Sequence, residues 1–474
     1  MKNSLAMILL TALLLCSCGR TVTDEPAVTD ADDTVKFEEA DFGGAEFKFL
    51  HYGNKGNLYY ESYIVPDDAV GEAVSRAVAE RNQLVEKRYN VKITAEESSS
   101  AIGVDKQIKS GQVDFDVIYL SGTTTAALAL DGMLQDFREL DKVRLSESYW
   151  MPQASAGLTV ADRLFMAPGM ISMSTVAYSE TYFFNNAVLD ELGLTSPYDH
   201  VKNGTWTYDT VLEMAISAEK DLNNDGKMTE FFDRSGGLDG GKLLLDMCDS
   251  PLVEKSDDGT YAIIPYTEEM VSIYQKYKSK LDDLFYYADE AVFDLSIDLL
   301  KLYSPFTNDR ALFYNGFVWD LQILKEMGDT CGIVPSPVVN TGDSYSCKVY
   351  AYAPLLSVPA EADDPEMTAL VLEYMAYESE RLLLPVFYEN ILGERTAENE
   401  QKYKMAELIR DSAKYEWVDV YMHDSDILTI REKFLASGSF SSVVKRYLPS
   451  LQQEIDDTVA KIVAAGTEKP AVTE

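Results

Sequence analysis

Phe115-Asp116-Val117-Ile118-Tyr119-Leu120, followed by Ser121-Gly122-Thr123-Thr124-Thr125, is the stretch on which the fold turns. A nearly unbroken apolar run of this length reads as a strand covered on both faces, as in a parallel sheet. The small polar residues after it form a tight loop ahead of a helix. Upstream, Glu46-Phe47-Lys48-Phe49-Leu50 is a strand that ends at His51-Tyr52-Gly53-Asn54. Val70, Ala73, Val74, Ala77, Val78, Leu84 and Val85 recur at helical spacing and predict an amphipathic helix from Val70 to Tyr89. Val91-Lys92-Ile93-Thr94 is the next strand. Strand, helix, strand in this rhythm predicts an α/β fold with a mostly parallel sheet. Ligands of such sheets sit at the carboxyl ends of the strands. His51, Tyr52 and Asn54 after one strand, and Ser121 and Thr123 after another, are therefore candidate ligand contacts. Ser121 and Thr123 read equally well as helix caps.

The pattern continues downstream. Leu164-Phe165-Met166-Ala167-Pro168-Gly169 is a strand leading to a crossover, with Tyr178 and Glu180 just beyond it as further candidates. Tyr182-Phe183-Phe184-Asn185 is another strand, and Val188 to Leu192 a short helix closed by Gly193. Thr207 caps a helix whose buried stripe is Val211, Leu212, Met214, Ala215 and Ala218. Asp364-Pro365 opens another helix, with Asp as cap and Pro in the first turn. The last helix carries Leu451, Ile455, Val459, Ile462 and Val463.

The amino terminus reads as an export signal, 1–17. Lys2 is followed by an apolar run from Leu5 to Leu15, too short to span a bilayer. Leu15-Cys16-Ser17-Cys18 then places Cys18 where a bacterial lipoprotein is cut and acylated. Residues 18–44 hold few large apolar side chains and are expected to be a flexible tether. No later segment reaches 18 apolar residues. The 474-residue chain carries 41 Lys and Arg against 79 Asp and Glu, a net charge of −38. Such a chain is a poor nucleic-acid binder, because phosphate contacts need a basic face. Its 3 His and 5 Cys argue against a Cys/His metal scaffold. Cys331 and Cys347 can be read either as a bridge or as two buried thiols.

Several landmarks, in order, resemble the extracellular solute-binding lipoproteins of bacterial ABC importers, of the maltose-binding-protein type. They are the lipobox and tether; the stretch Phe115 to Leu134; Tyr182-Phe183-Phe184-Asn185-Asn186 before Glu191-Leu192-Gly193-Leu194; and Asn203-Gly204-Thr205-Trp206-Thr207-Tyr208-Asp209. Ala311-Leu312-Phe313-Tyr314-Asn315-Gly316 with Trp319, Gly332-Ile333-Val334-Pro335-Ser336-Pro337 and Ser357-Val358-Pro359-Ala360 complete the set. The resemblance implies two α/β lobes with a ligand cleft between them (a type 2 periplasmic-binding-protein fold). It places lobe one at 45–168 and 335–393, and lobe two at 169–334 and 394–466. It implies a monomeric receptor that binds a small solute, most often an oligosaccharide, and docks on a permease. Trp319 would stack on the ligand and Asp320 accept a hydroxyl, with core packing and a solvated helix start as their other readings. Trp206 reads as a packing residue near the hinge.

The sharpest local motif is Asp221-Leu222-Asn223-Asn224-Asp225-Gly226-Lys227-Met228-Thr229-Glu230. Oxygens from Asp221, Asn223 and Asp225, then a turn glycine and the Lys227 carbonyl, begin an EF-hand-type calcium loop. The twelfth position is Phe232 rather than an acid, so closure falls to Glu230 or Asp233, or the segment is a metal-free turn. No catalytic cofactor is expected. Neither a nucleophile elbow, a zinc-protease motif nor a Walker loop is present. A surface glycan hydrolase would need two facing carboxylates, and an adhesive surface protein would more often be repetitive and all-β. If Trp319 stacks on the ligand, Trp319→Ala should weaken binding by about tenfold in a calorimetric titration.

Overall fold

The computed structural model describes residues 35–52, 63–67, 70–98, 101–110, 113–229, 232–247, 252–264, 267–282, 284, 304–427, 430, 432–433 and 440–466. The elements that place the site are, along the chain, β1 (Ala45–Tyr52), α1 (Glu72–Tyr89), β2 (Val91–Ser98), β3 (Val117–Ser121), α2 (Gly122–Leu130), β4 (Glu180–Asn185), α3 (Asn186–Leu192), α4 (Tyr208–Ala218) and α5 (Gly240–Met247). Then come β5 (Val253–Lys255), β6 (Tyr261–Ile263), β7 (Phe313–Phe317), β8 (Cys331–Pro335), β9 (Cys347–Lys348) and β10 (Pro354–Ser357). The carboxyl-terminal part contributes α6 (Pro365–Glu378), α7 (Leu384–Leu392), α8 (Glu400–Asp411), β11 (Ala413–Lys414), α9 (Trp417–Tyr421) and α10 (Phe440–Ala465).

Two sheets organise the body. The first has the order β10-β3-β1-β2. β1 pairs in parallel with β2 and β3, and β10 runs antiparallel to β3. All five side chains of β3 are buried, as the apolar run requires of a strand with partners on both sides. α1 starts after Gly71 (φ 92°) and turns Val74, Ala77, Val78 and Val85 inward. Just ahead of β1, Asp41 accepts hydrogen bonds from Gly43 N (2.8 Å) and Asn90 Nδ2 (2.7 Å), so the chain is docked by this point. The second sheet, β7-β4-β8, is antiparallel throughout, unlike the parallel sheet expected from the βαβ rhythm. The caps fall where the sequence puts them. Thr207 Oγ1 accepts Thr210 N, Asp364 Oδ1 accepts Met367 N, and Gly193 closes α3 at φ 64°.

The chain crosses between the sheets along short paired segments. Ala167 bridges Leu356 of β10, and Ser179, twelve residues on, bridges Val349. β9 pairs in parallel with β11. Of the stretch 394–466, α8 packs on β8, whereas α9 packs on α2 and α10 reaches both α2 and β6. The β5–β6 hairpin makes a further tie. Tyr261 Oη accepts from Ala161 N at 2.7 Å, and Gln452 brackets the hairpin through Ile263 N and Tyr261 O. Trp206 is fully buried and donates from Nε1 to Pro335 O (2.8 Å), holding the exit of β8. Cys331 and Cys347 are buried free thiols, and burial raises their pKa to about 12 and about 11.

Among the described residues, Arg81 is a buried cation with several acceptors. It donates to the carbonyls of Tyr63 (2.7 Å), Ile64 (2.9 Å) and Ile171 (2.9 Å), to Ser379 Oγ (3.2 Å) and to Asn82 Oδ1. Burial lowers its pKa to about 9, which leaves it charged at neutral pH. It ties α1 to the start of the crossover and to the helical segment after α6. Lysine has neither the reach nor the fork to satisfy these acceptors. Arg81→Lys should therefore cost about 3 kcal/mol or more in urea unfolding, because buried acceptors are stranded. A loss under about 1 kcal/mol would show that the cluster tolerates rearrangement.

Candidate functional site

A cavity of about 400 Å³ opens beside the crossing segments, within the roughly 300–1,000 Å³ typical of small-ligand clefts. One wall comes from the second sheet and its helices: Glu180 at the start of β4, Tyr208 at the start of α4, and Lys242, Leu245 and Asp246 on α5. The opposite wall is Asp419 on α9, which α2 supports, and His423 just beyond. The floor is the crossing segment itself, from Lys348 through Tyr352.

The backbone explains why these groups meet. β9 is held by Cys347 N to Ser412 O (2.8 Å), and the chain beyond it by Val349 N to Lys414 O (2.9 Å) and Tyr350 N to Tyr178 O (3.0 Å). The turn then tightens through Ala353 N to Tyr350 O, and Gly122 N donates to Ala353 O. A Cβ at Gly122 would lie 2.5 Å from Ala351 O, so only glycine lets the start of α2 approach this turn. Ser336 and Tyr208 are drawn in together, because Tyr208 N donates to Val338 O (3.1 Å).

Aromatic rings run along the floor. Tyr178 packs edge-on to Phe317 (6.3 Å), Phe317 meets Tyr350 (5.4 Å), Tyr350 meets Tyr352 (5.3 Å), and Tyr352 meets His423 edge-on (5.9 Å). Tyr350 and Tyr352 are 40% and 39% exposed, which makes them two of the few large apolar side chains left open among the described residues. Charged pairs flank them. Lys242 Nζ lies 3.2 Å from Asp246 and 3.5 Å from Glu180, and Lys348 Nζ lies 2.5 Å from Asp419. Burial works against the Lys242 ammonium, but Glu180 and Asp246 outweigh it and hold its pKa above the usual lysine value. The arrangement offers flat aromatic faces and hydrogen-bond acceptors and donors in one cavity.

Among the residues expected at the site, Glu180 lines the cavity and Tyr178 stands one ring behind it. Ser121 and Thr123 lie under the floor. Ser121 pairs with Pro354 across β3 and β10, and its Oγ accepts Thr124 N, which is the capping role. His51 is 5% exposed on β1 in register with Tyr119, and Tyr52 ends that strand opposite Ser98. Asn54 and Cys18 lie outside the described residues. Trp319 is 3% exposed and is not among the residues that line this cavity, whose exposed aromatic side chains include Tyr350 and Tyr352. Asp320 is buried. Its Oδ2 accepts Phe317 N (2.9 Å) and Tyr314 Oη (3.0 Å), which fixes the turn after β7. Sequence reasoning missed the floor, although Tyr350-Ala351-Tyr352 alternates visibly and follows the Gly332 to Pro337 landmark.

The Asp221 turn is closed by its own amides. Asp221 accepts Asn224 N (2.6 Å) and Gly226 N (2.8 Å), Asn223 accepts Asp225 N (2.9 Å), and Asp225 accepts Lys227 N (2.9 Å). Asp233 is fully buried and turned inward onto Leu222 N and Thr229 N. Glu230 lies outside the described residues, and among those described no three acidic, His or Cys groups converge as metal ligands.

Comparison with known proteins adds to this geometry. No curated protein matches the chain. A sugar transporter of Rhizobium etli in an open conformation shares its fold at 12% identity and TM-score 0.53, over 90% of this chain and 100% of that one. A periplasmic oligogalacturonide-binding protein of Yersinia enterocolitica does so at 14% identity and TM-score 0.53, over 88% and 100%. An extracellular solute-binding protein of Staphylococcus aureus, solved with maltose, does so at 11% identity and TM-score 0.52, over 88% and 97%. The chain shares with these proteins the mixed α/β fold of two-domain periplasmic solute-binding proteins. The model of the bacterial extracellular solute-binding proteins matches residues 82–382, which is more than half of the chain, and the protein belongs to that family.

Proposed function

We propose that the protein captures a saccharide in the cavity beside the crossing segments and hands it, chemically unchanged, to an ABC permease. The observation that carries this reading is the pair of half-exposed tyrosines, Tyr350 and Tyr352, with rings 5.3 Å apart on the floor of a polar cavity. Aromatic faces stack on the C–H face of a sugar ring, and the flanking carboxylates and ammonium groups serve its hydroxyls. Solved structures of the same fold that bind maltose or oligogalacturonide support the choice of a saccharide over a peptide. The floor belongs to the segment that joins the lobes, so a ligand seated there would touch both walls and favour hinge closure. The family works outside the cytoplasmic membrane. The export signal and lipobox fit an acyl anchor at Cys18 with a monomeric receptor on a tether. A receptor for a peptide or another polar solute, or a surface adhesin, is the alternative.

The deciding experiment is a thermal-shift screen of the exported chain against mono- and oligosaccharides and peptides. A ligand at 100 times its Kd adds about 2.7 kcal/mol, a readable shift. A shift with saccharides only is the expected result, and a shift with peptides only would overturn the reading. Tyr350→Ala and Tyr352→Ala should each weaken saccharide binding by about tenfold while the melting temperature of the free protein stays close to wild type. Trp319→Ala should instead lower stability by roughly 3–5 kcal/mol, as for a large aromatic removed from a core. The calcium reading of the Asp221 loop requires a melting temperature that rises with calcium and falls with a chelator. Indifference to both would leave a self-closed turn.

A further inference from the structure

The charged groups of the cavity do not balance. Glu180, Asp246, Asp419 and Glu432 line it, against Lys242 and Lys348. Among the described lining residues, four carboxylates face two ammonium groups and the His423 ring, so carboxylates are in excess. The two lysines are also committed. Lys242 is shared between Asp246 and Glu180, and Lys348 is held by Asp419 at 2.5 Å. An anionic ligand that recruits either lysine competes with a carboxylate that stays in the cavity. The whole chain, at −38, adds to the same repulsion at long range.

We infer that the cavity takes an uncharged saccharide and rejects one built of uronic acids, with the specificity set by Glu180, Asp246, Asp419 and Glu432. The inference rests on the saccharide reading above. A neutral sugar meets these carboxylates as a hydroxyl donor, which is what an ionised carboxylate accepts. It meets Tyr350 and Tyr352 with a ring face that carries no charge. A uronide of the same shape keeps the stacking and gains a carboxylate at each ring. That carboxylate meets four carboxylates and two already paired ammonium groups, and the neutral donors left to it, such as Ser336, Ser346 and His423, do not offset the like charge. Like-charge juxtaposition against the wrong ligand is a standard source of discrimination. The oligogalacturonide-binding protein of Yersinia enterocolitica shares the fold, so the difference lies in the lining and not in the architecture.

The test is calorimetric titration of the exported chain with matched pairs of oligosaccharides, equal in length and linkage, one neutral and one uronic. The neutral member should bind at least about tenfold more tightly. The gap should narrow as salt is raised, because the discrimination is electrostatic. Glu432→Gln, on an exposed side chain, should also narrow it, and Asp419→Asn should narrow it further. Uronide binding as tight as or tighter than the neutral partner would overturn the inference and leave the saccharide reading standing. A gap indifferent to salt and to both variants would overturn the assignment to these carboxylates. Binding of neither class would remove the saccharide reading, and the inference with it.

Discussion

The structure depends on a handful of backbone hydrogen bonds where the chain passes between its two sheets. Ala167 exchanges hydrogen bonds with Leu356, Tyr350 N donates to Tyr178 O, Cys347 N to Ser412 O and Val349 N to Lys414 O. Buried amides must stay paired whatever the lobes do. The pairings are short: β9 and β11 contribute only two residues each, and Ala167 and Ser179 make single bridges. A short ladder can twist without breaking a long series of bonds, which long strands across the same gap would not allow. The surroundings are locked in contrast. Arg81 fixes the entry of the first crossing through Ile171 O, Trp206 fixes the exit of β8, and Asp320 fixes the turn after β7.

The candidate site follows from that constraint. Because the return crossing must pair with Ser179 on one side and Lys414 on the other, its side chains at Lys348, Tyr350 and Tyr352 have one open direction, into the cavity. Glycine at position 122 then lets α2 press on the same turn from the first lobe. Asp419 arrives on α9, which α2 supports, and meets Lys348. Floor and walls thus come from segments far apart in sequence, and the electrostatic character of the cavity is set by pairs formed between them.

Much of the fold was legible in the sequence, and the reason is local. The βαβ start was written in period and in caps: the buried run at Val117 to Leu120, the stripe of α1, Thr207 and Asp364 as caps, Gly193 as a stop. Those signals act over one turn or one strand, so they survive without tertiary context. The direction of the second sheet was not legible. Tyr182 to Asn185 reads the same whether its partners run parallel or antiparallel, and only the crossings decide. Of the candidate ligand contacts, Glu180, expected just after the crossover, lines the cavity. Trp319 is buried and is not among the residues lining the cavity, and a tryptophan after a glycine carries no sign of which side of the chain it faces. Tyr350 and Tyr352 alternate in the sequence, but they lie in a turn, and only the pairing of distant segments brings them to the cavity.

The central claim is that a ligand seated on the crossing segment draws the two lobes together. Small-angle X-ray scattering of the exported chain, free and saturated with the saccharide that raises its melting temperature, measures this directly. The account predicts a smaller radius of gyration with ligand, and loss of that change in Tyr350→Ala at the same ligand concentration. An unchanged radius of gyration at proven saturation would contradict it.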